Sequence, residues 1–135
     1  IRYALKNNLK VVFCIGENKN EKRNKRTLIV LKKQLTKVLE KKFNKKNIIV
    51  AYEPIWSIGT GKIPTEIELK NTTVHIKNIL KNIFKKNSPA VLYGGSVDGI
   101  NVKMFKKIKE IDGFLIGGAS KSSKKFIDII KNYYR

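Results

Sequence analysis

The sequence is poor in the residues that mark disulfide-stabilised, metal-binding or membrane-spanning proteins. Its 135 residues include one cysteine, one histidine and three prolines. A single cysteine forms no internal disulfide, and no cluster of Cys and His completes a structural zinc site. No run approaches the roughly 20 consecutive apolar residues of a membrane-spanning helix, and the start lacks the layout of a signal peptide. We therefore expect a soluble, cytoplasmic protein and, since the first residue is Ile1 rather than Met, a sequence that begins inside a longer chain.

Acidic residues are also scarce: ten Asp and Glu oppose thirty Lys and Arg, giving a net charge of +20. Such a balance raises the question of nucleic acid or an anionic membrane as partner. Dedicated nucleic-acid binders usually concentrate charge on one face, with arginine forks or stacking aromatics. Here lysine dominates and is spread over every helical segment. This distribution favours compositional drift toward Lys, Asn and Ile as the explanation of the positive charge. We expect no specific nucleic acid and no membrane partner, with a nonspecific polyanion-binding remnant of an enzyme as the alternative.

Four short apolar runs alternate with longer stretches of helical spacing. Nearly continuous apolar character is typical of parallel strands covered on both faces. The runs span residues 10–15, 47–52, 90–93 and 113–116.

Helices are predicted around these runs by apolar residues recurring on one face. Thr65 with Glu68 three residues later is a capping-box pattern that marks a helix start. A short helix over residues 1–7 precedes the first strand. The other predicted helical faces are Leu28–Leu39, Ile76–Ile83, Ile100–Ile108 and Phe126–Tyr133.

Strand and helix alternation builds either an open doubly wound sheet or a closed barrel. No G-x-G-x-x-G follows a strand, and the segment 59–62 lacks the length of a Walker A loop. The sequence therefore favours a barrel over an open nucleotide-binding sheet. An eight-fold barrel takes about 250 residues. The sequence therefore predicts an α/β fold with four β/α units, a single partial domain over residues 1–135 that amounts to half of a barrel.

The turn after the second strand carries the strongest chemical signal. Glu53 stands at the end of the strand, where parallel barrels assemble their active sites. Pro54 stiffens the backbone where the chain leaves the strand, and Gly59 and Gly61 permit bending of the loop that follows. A fixed carboxylate beside a loop with mobile ends suits a general base under a lid. An ordinary surface loop with an exposed glutamate is the alternative.

This segment, residues 51–62, closely resembles the catalytic glutamate and lid of triosephosphate isomerases. Three other blocks agree in order and spacing, and together they cover nearly the whole chain: residues 14–17 (CIGE), 93–97 (YGGSV) and 112–120 (DGFLIGGAS). The resemblance implies the C-terminal half of a (β/α)8 TIM barrel. It implies an isomerase of glycolysis and gluconeogenesis that interconverts dihydroxyacetone phosphate and glyceraldehyde 3-phosphate, with no cofactor or metal, and a parent protein that is a homodimer.

By this resemblance Glu53 is the catalytic base, and phosphate contacts fall to the backbone of Gly59, the side chain or amide of Ser96, and the amides of Gly117 and Gly118. Gly117 and Gly118 are expected to open the last helix, whose N-terminal dipole favours an anion. For each glycine a simple tight turn is the alternative.

Secondary roles also follow from the resemblance. Glu17 is the expected partner of Trp56 in the lid, with an exposed helix-start carboxylate as the alternative. Leu115 is expected to wall the pocket, although core packing explains it as well. Ser57 and Lys121 depart from the family's usual alanine and apolar residue without touching the proposed chemistry.

The family's electrophilic Asn, Lys and His belong to the first and fourth strands of the barrel and have no counterpart in this sequence. We therefore expect the 135 residues alone to be nearly inactive. Another phosphate-binding barrel enzyme is the rival within the same fold, although it leaves the Glu53 segment unexplained.

Two residues are expected to have no chemical role. His75, the one histidine, lies in the middle of a predicted helix at a position that the resemblance does not make catalytic. Cys14 lies in an apolar strand without a neighbouring activating group, so we expect it to be buried and inert.

Overall fold

A computed structural model describes residues 1–85 and 88–135, and within them four strands form one parallel sheet in sequence order. Each strand is followed by at least one helix before the next, as parallel neighbours require. The predicted α/β class and the positions of the strands are confirmed, although the fourth strand ends two residues early. The strands are β1 (Val11–Ile15), β2 (Ile48–Tyr52), β3 (Ala90–Tyr93) and β4 (Gly113–Phe114).

Six α-helices lie in the described part of the chain, of which the longest confirms the predicted capping box. Thr65 Oγ1 accepts a hydrogen bond from Glu68 N, and the Glu68 carboxylate accepts one from Thr65 N. The five-residue second helix has a similar box at Asn18 and was not predicted. The helices are α1 (Arg2–Lys6), α2 (Lys19–Arg23), α3 (Thr27–Val38), α4 (Glu66–Phe84), α5 (Val102–Phe105) and α6 (Ser123–Tyr134), with 3₁₀ turns at Lys45–Asn47 and Gly118–Lys121.

Two predicted helices differ from the structure. The pattern at 100–108 yields only the four-residue α5, followed by turns. The last helix was predicted to open at Gly117 and Gly118, and this is wrong. Those residues begin the 3₁₀ turn, while α6 begins at Ser123 behind a Ser122 N-cap. Among the described residues, no helix combines the length and the apolar character needed to cross a membrane.

The hydrophobic core lies between one face of the sheet and the helices α3 and α4. Alternate residues of β2 point into it because side chains along a strand alternate between faces. They meet apolar residues from successive helical turns, which the 3.6-residue period brings to one side. Members of the core cluster that are at most 2% exposed are Leu31, Leu35, Ile48, Val50, Tyr52, Leu69, Ile76 and Leu80, together with Val91, Tyr93, Val102 and Phe105 farther along the chain.

The opposite face of the sheet is open at β1. Val12 is 46% exposed and Cys14 is also exposed, while their register partners on β2 are the half-buried Ile49 and the fully buried Ala51. The prediction of strands covered on both faces is therefore wrong for β1, and so is the prediction that Cys14 is buried. An apolar sequence establishes that a side chain can be buried, but not that something within this chain covers it.

Candidate active site

Glu53 continues β2 beyond its last ladder residue. Its amide donates to the carbonyl of Ile15 on β1 at 2.7 Å, so the backbone is fixed before Pro54 turns the chain. Its half-buried side chain lies against the end of β3: a Cβ added to Gly94 would stand 2.9 Å from Glu53 Oε1 and 2.6 Å from Glu53 Cγ. On the other side, a Cβ on Gly16 would collide with the Glu53 carbonyl group. Two glycines, each directly after one of the strands that flank β2, thus make room for this glutamate.

A cavity of about 250 Å³ opens at this end of the sheet, and Glu53 is part of its wall. The five site residues predicted from the sequence, from three separate loops, all line it. They are Glu53, Gly59, Ser96, Gly117 and Gly118, joined by Ile58, Gly61, Gly94, Gly95, Val97, Asp98 and Ala119. Leu115, predicted to wall the pocket, lies outside this lining and is half-buried.

The lid segment, defined as residues 54–62, forms consecutive turns above the cavity. Gly59 and Gly61 have φ values of +67° and +73°, a region that residues with a Cβ seldom adopt. The amide of Gly61 donates to Ser96 Oγ at 3.1 Å. Ser96 belongs to the glycine loop, defined as residues 94–97, so the far end of the lid is tied to the loop that follows β3.

Ser96 makes polar contacts with the lid through both its hydroxyl and its amide. Its Oγ donates to the Ser57 carbonyl at 2.6 Å, and its amide lies 3.3 Å from Ser57 Oγ. A role for Ser96 in phosphate binding stays a prediction, and it requires at least one of these contacts to be exchanged for a ligand oxygen.

The charge of the cavity wall differs in sign from that of the whole protein. Among the residues that the structure describes, the ionisable ones in the lining are Glu53 and Asp98, and none is a lysine or an arginine. Asp98 Oδ1 accepts from the amides of Ile100 and Asn101, both at 2.8 Å, which holds the turn after the glycine loop. Any anion that enters therefore depends on backbone amides of this chain and on cations from outside the lining.

Glu17 is fully buried, which removes the alternative of an exposed helix-start carboxylate. Trp56 Nε1 donates to Glu17 Oε1 at 2.8 Å, and the Tyr52 hydroxyl donates to both carboxylate oxygens at 3.2 and 3.3 Å. A buried carboxylate needs such donors because its desolvation is costly. Burial, reinforced by the neighbouring Glu17 charge, raises the pKa of Tyr52, so its hydroxyl stays a donor. The near end of the lid is thereby anchored through Trp56.

Cys14 lies beside Glu53 on the open face of the sheet. Partial burial, together with a hydrogen bond to Glu53 and the charge of that carboxylate, raises the pKa of the thiol from 9.0 to about 11. Its low reactivity is expected from this raised pKa rather than from the complete burial predicted earlier.

His75 lies in α4, away from the cavity lining. Its Nε2 is 3.1 Å from the Leu28 carbonyl, a contact between α4 and α3. This contact agrees with a packing role for the histidine.

Sequence reasoning missed two contributors to the site. Gly94 entered the sequence analysis only as part of the block 93–97, yet its lack of a side chain accommodates Glu53. Ser57 was set aside, yet it is fully buried among four polar partners on the lid and the glycine loop. The sequence offered only a weak signal for Ser57, the departure from alanine.

Comparison with known proteins places these features in a family context. The family model described as triosephosphate isomerase matches residues 1–133. The chain is 40% identical to a triosephosphate isomerase of Thermodesulfovibrio yellowstonii over 133 residues, which are 97% of this chain and 54% of that protein. It is 41% identical to the Yarrowia lipolytica protein of the same name, covering 97% and 53%, and 42% identical to that of Coprinopsis cinerea, covering 96% and 53%. The chain thus spans about half the length of the curated relatives it matches.

Proposed function

The chain belongs to the triosephosphate isomerase family, and on that premise we propose that it supplies the base and phosphate-binding half of a triose-phosphate isomerase active site. The parent enzyme interconverts dihydroxyacetone phosphate and D-glyceraldehyde 3-phosphate in glycolysis and gluconeogenesis, in the cytoplasm and as a homodimer. The observation that carries the proposal is the convergence of Glu53 with Gly59, Ser96, Gly117 and Gly118 on one small cavity.

Glu53 acts as the general base in this proposal. It removes a proton from the carbon beside the substrate carbonyl, and the resulting enediolate regains the proton at the neighbouring carbon. The fixed backbone of Glu53 and the space left by Gly94 support this role, because proton transfer depends on a carboxylate held at a defined place. The lid above the cavity excludes water from the reactive intermediate.

The phosphate lies among the backbone amides of the lid, the glycine loop and the turn at Gly117–Gly118. Glycine-rich turns allow close approach of the backbone to phosphate oxygens. Since Gly117 and Gly118 begin a 3₁₀ turn and not α6, their contribution comes from individual amides rather than from the dipole of the last helix.

The 135 residues alone have little activity in this proposal. Within residues 1–85 and 88–135, the cavity lining contains no cationic side chain to stabilise the enediolate oxygen, and such electrostatic support is often the largest single contribution to catalysis. The open apolar face around Val12 and Cys14 also agrees with a missing complement of the barrel. The Asn, Lys and His expected from the resemblance belong to that complement.

A chimera tests the proposal directly. The upstream half of the Thermodesulfovibrio yellowstonii relative is fused to this chain, and isomerisation is followed in a coupled assay beside the chain alone. We expect activity from the chimera, almost none from the chain alone, and a loss on the order of 10²–10⁴-fold when Glu53→Gln removes the base. The matched control Glu66→Gln changes an exposed glutamate at the start of α4.

Two results would contradict the proposal. A well-folded chimera that retains its activity with Glu53→Gln excludes Glu53 as the base. Turnover by the chain alone at the rate of a full-length isomerase overturns its predicted near-inactivity.

A further inference from the structure

Ser57 is a buried polar residue that the proposed proton transfer does not use. It is 0% exposed, and its Oγ lies 2.5 Å from the carbonyl oxygen of Lys62, at the other end of the lid segment. The same oxygen is 3.2 Å from the hydroxyl of Tyr93, the last residue of β3, and 3.3 Å from the amide of Ser96. One side chain therefore contacts the far end of the lid segment, the end of β3 and the glycine loop.

Proton counting fixes the direction of each hydrogen bond. The Ser57 hydroxyl has one proton, and the Lys62 carbonyl is an acceptor only, so the proton points to Lys62. Tyr93 must then be the donor in its own contact. Burial raises the pKa of Tyr93 to about 12, which keeps its hydroxyl protonated at neutral pH. With the Ser96 amide, Ser57 Oγ donates once and accepts twice, so its hydrogen-bonding capacity is filled.

The glycine loop leaves no room for a substitute contact. A Cβ on Gly95 would lie 2.6 Å from Ser57 Oγ and would also overlap the Tyr93 hydroxyl. The backbone of the loop is therefore pressed against the serine, and removal of the hydroxyl leaves the Tyr93 donor and the Lys62 carbonyl without this partner. An alanine at position 57 supplies neither a donor nor an acceptor.

We propose that Ser57 is a positioning residue that latches the lid segment onto the glycine loop. Its hydroxyl joins the lid's far end to Tyr93 and Ser96, and this contact sets how often the lid lifts from the cavity. The part of the inference that makes a phosphorylated triose the molecule under the lid rests on the proposed function. The latch itself rests on the contacts of Ser57 alone.

Trypsin offers a direct measure of lid opening. Lys62 is the one lysine or arginine between Lys46 and Lys70, so cleavage after it reports on the lid and is identified by the masses of its products. When opening precedes a slower cleavage, the initial rate follows the population of the open lid. A lost hydrogen bond worth about 0.7 kcal/mol raises that population about threefold. Ser57→Ala removes the two bonds that cross to Tyr93 and Ser96, so we expect it to raise the rate of cleavage after Lys62 about tenfold.

Three further variants separate a latch from general destabilisation. Tyr93→Phe removes one donor while keeping the ring, and we expect a rise of about threefold. Ser57→Thr retains the hydroxyl but adds a methyl group at a fully buried position, so it is expected to raise cleavage less than Ser57→Ala does. Ser123→Ala removes an exposed serine hydroxyl at the start of α6 and is the matched control, expected to have no effect.

Cleavage after Lys62 at the original rate in both folded Ser57→Ala and Tyr93→Phe would overturn the latch. If circular dichroism shows that Ser57→Ala does not fold, the rate of cleavage after Lys62 in Tyr93→Phe alone tests the latch. The readout does not involve isomerase activity. An inactive chimera with a normal trypsin response therefore contradicts the proposed function, whereas an active chimera with unchanged cleavage contradicts the latch.

Discussion

Cys14 gives a quantitative test of the environment of Glu53, because it is the one cysteine in the sequence and its side chain is exposed. A rise of its pKa from 9.0 to about 11 lowers the thiolate fraction at pH 8 about a hundredfold. A thiolate of higher pKa is also the better nucleophile, and this raises the rate constant of the thiolate about tenfold. We therefore expect Cys14 of the folded chain to react with a disulfide about tenfold more slowly than in the unfolded chain.

The assay uses a neutral dipyridyl disulfide in excess, with the folded chain compared with the same chain in urea. Between pH 8 and pH 10 the rate for the folded chain should rise about tenfold per pH step, while that of the unfolded chain levels off near pH 9. Glu53→Gln removes the charge and leaves partial burial, the largest cause, so it should move the folded-state pKa only part of the way back. A folded-state rate that levels off near pH 9 and matches the unfolded chain would refute this picture of Cys14 and Glu53.

Other predictions concern the helix cap, the glycine beside the base and the surface charge. Thr65→Ala should lower the free energy of unfolding, measured in urea titrations, by about 1 kcal/mol. The control Thr36→Ala, on the exposed face of α3, should change this free energy by no more than about 0.5 kcal/mol. Equal effects of the two substitutions would show that the Thr65 cap does not stabilise α4. Gly94→Ala should reduce the activity of the chimera about a hundredfold, because its Cβ would displace the Glu53 side chain; full activity would show that the displacement does not matter. DNA should be retained weakly at low salt and released by moderate salt, whereas retention of one sequence at high salt would favour the polyanion-binding alternative.

Features encoded locally were predictable from the sequence. The capping box at Thr65 places donor and acceptor three residues apart on one turn, so the start of α4 followed directly from residue types. The apolar runs gave β1, β2 and β3 nearly to the residue. The short α2 was not predicted because it lacks an apolar stripe. Its capping box at Asn18 is the sequence signal that indicates this helix.

Features that depend on separate segments were not predictable in the same way. Cys14 and Ile15 are both apolar strand residues, yet one is exposed and the other buried because only one face of the sheet meets the helices. The contacts of Ser57 join positions 57, 62, 93 and 96, and no periodicity links them. Family resemblance named the residues of the cavity, but the space that Gly94 leaves for Glu53 required coordinates.

The contrast between the protein's net charge and the charge of its cavity has a mechanistic consequence. The net charge is +20, yet the ionisable residues of the cavity lining are the carboxylates of Glu53 and Asp98. Surface lysines separated from the cavity by more than a Debye length, about 8 Å at physiological salt, are largely screened there. Under the proposed function, we expect them to speed the approach of an anionic substrate and to do little to stabilise an enediolate beside a carboxylate. The proposed function requires a cation held within the cavity for that stabilisation, so we expect the proposed base and the lid of this chain to become an efficient catalyst only when another segment supplies one.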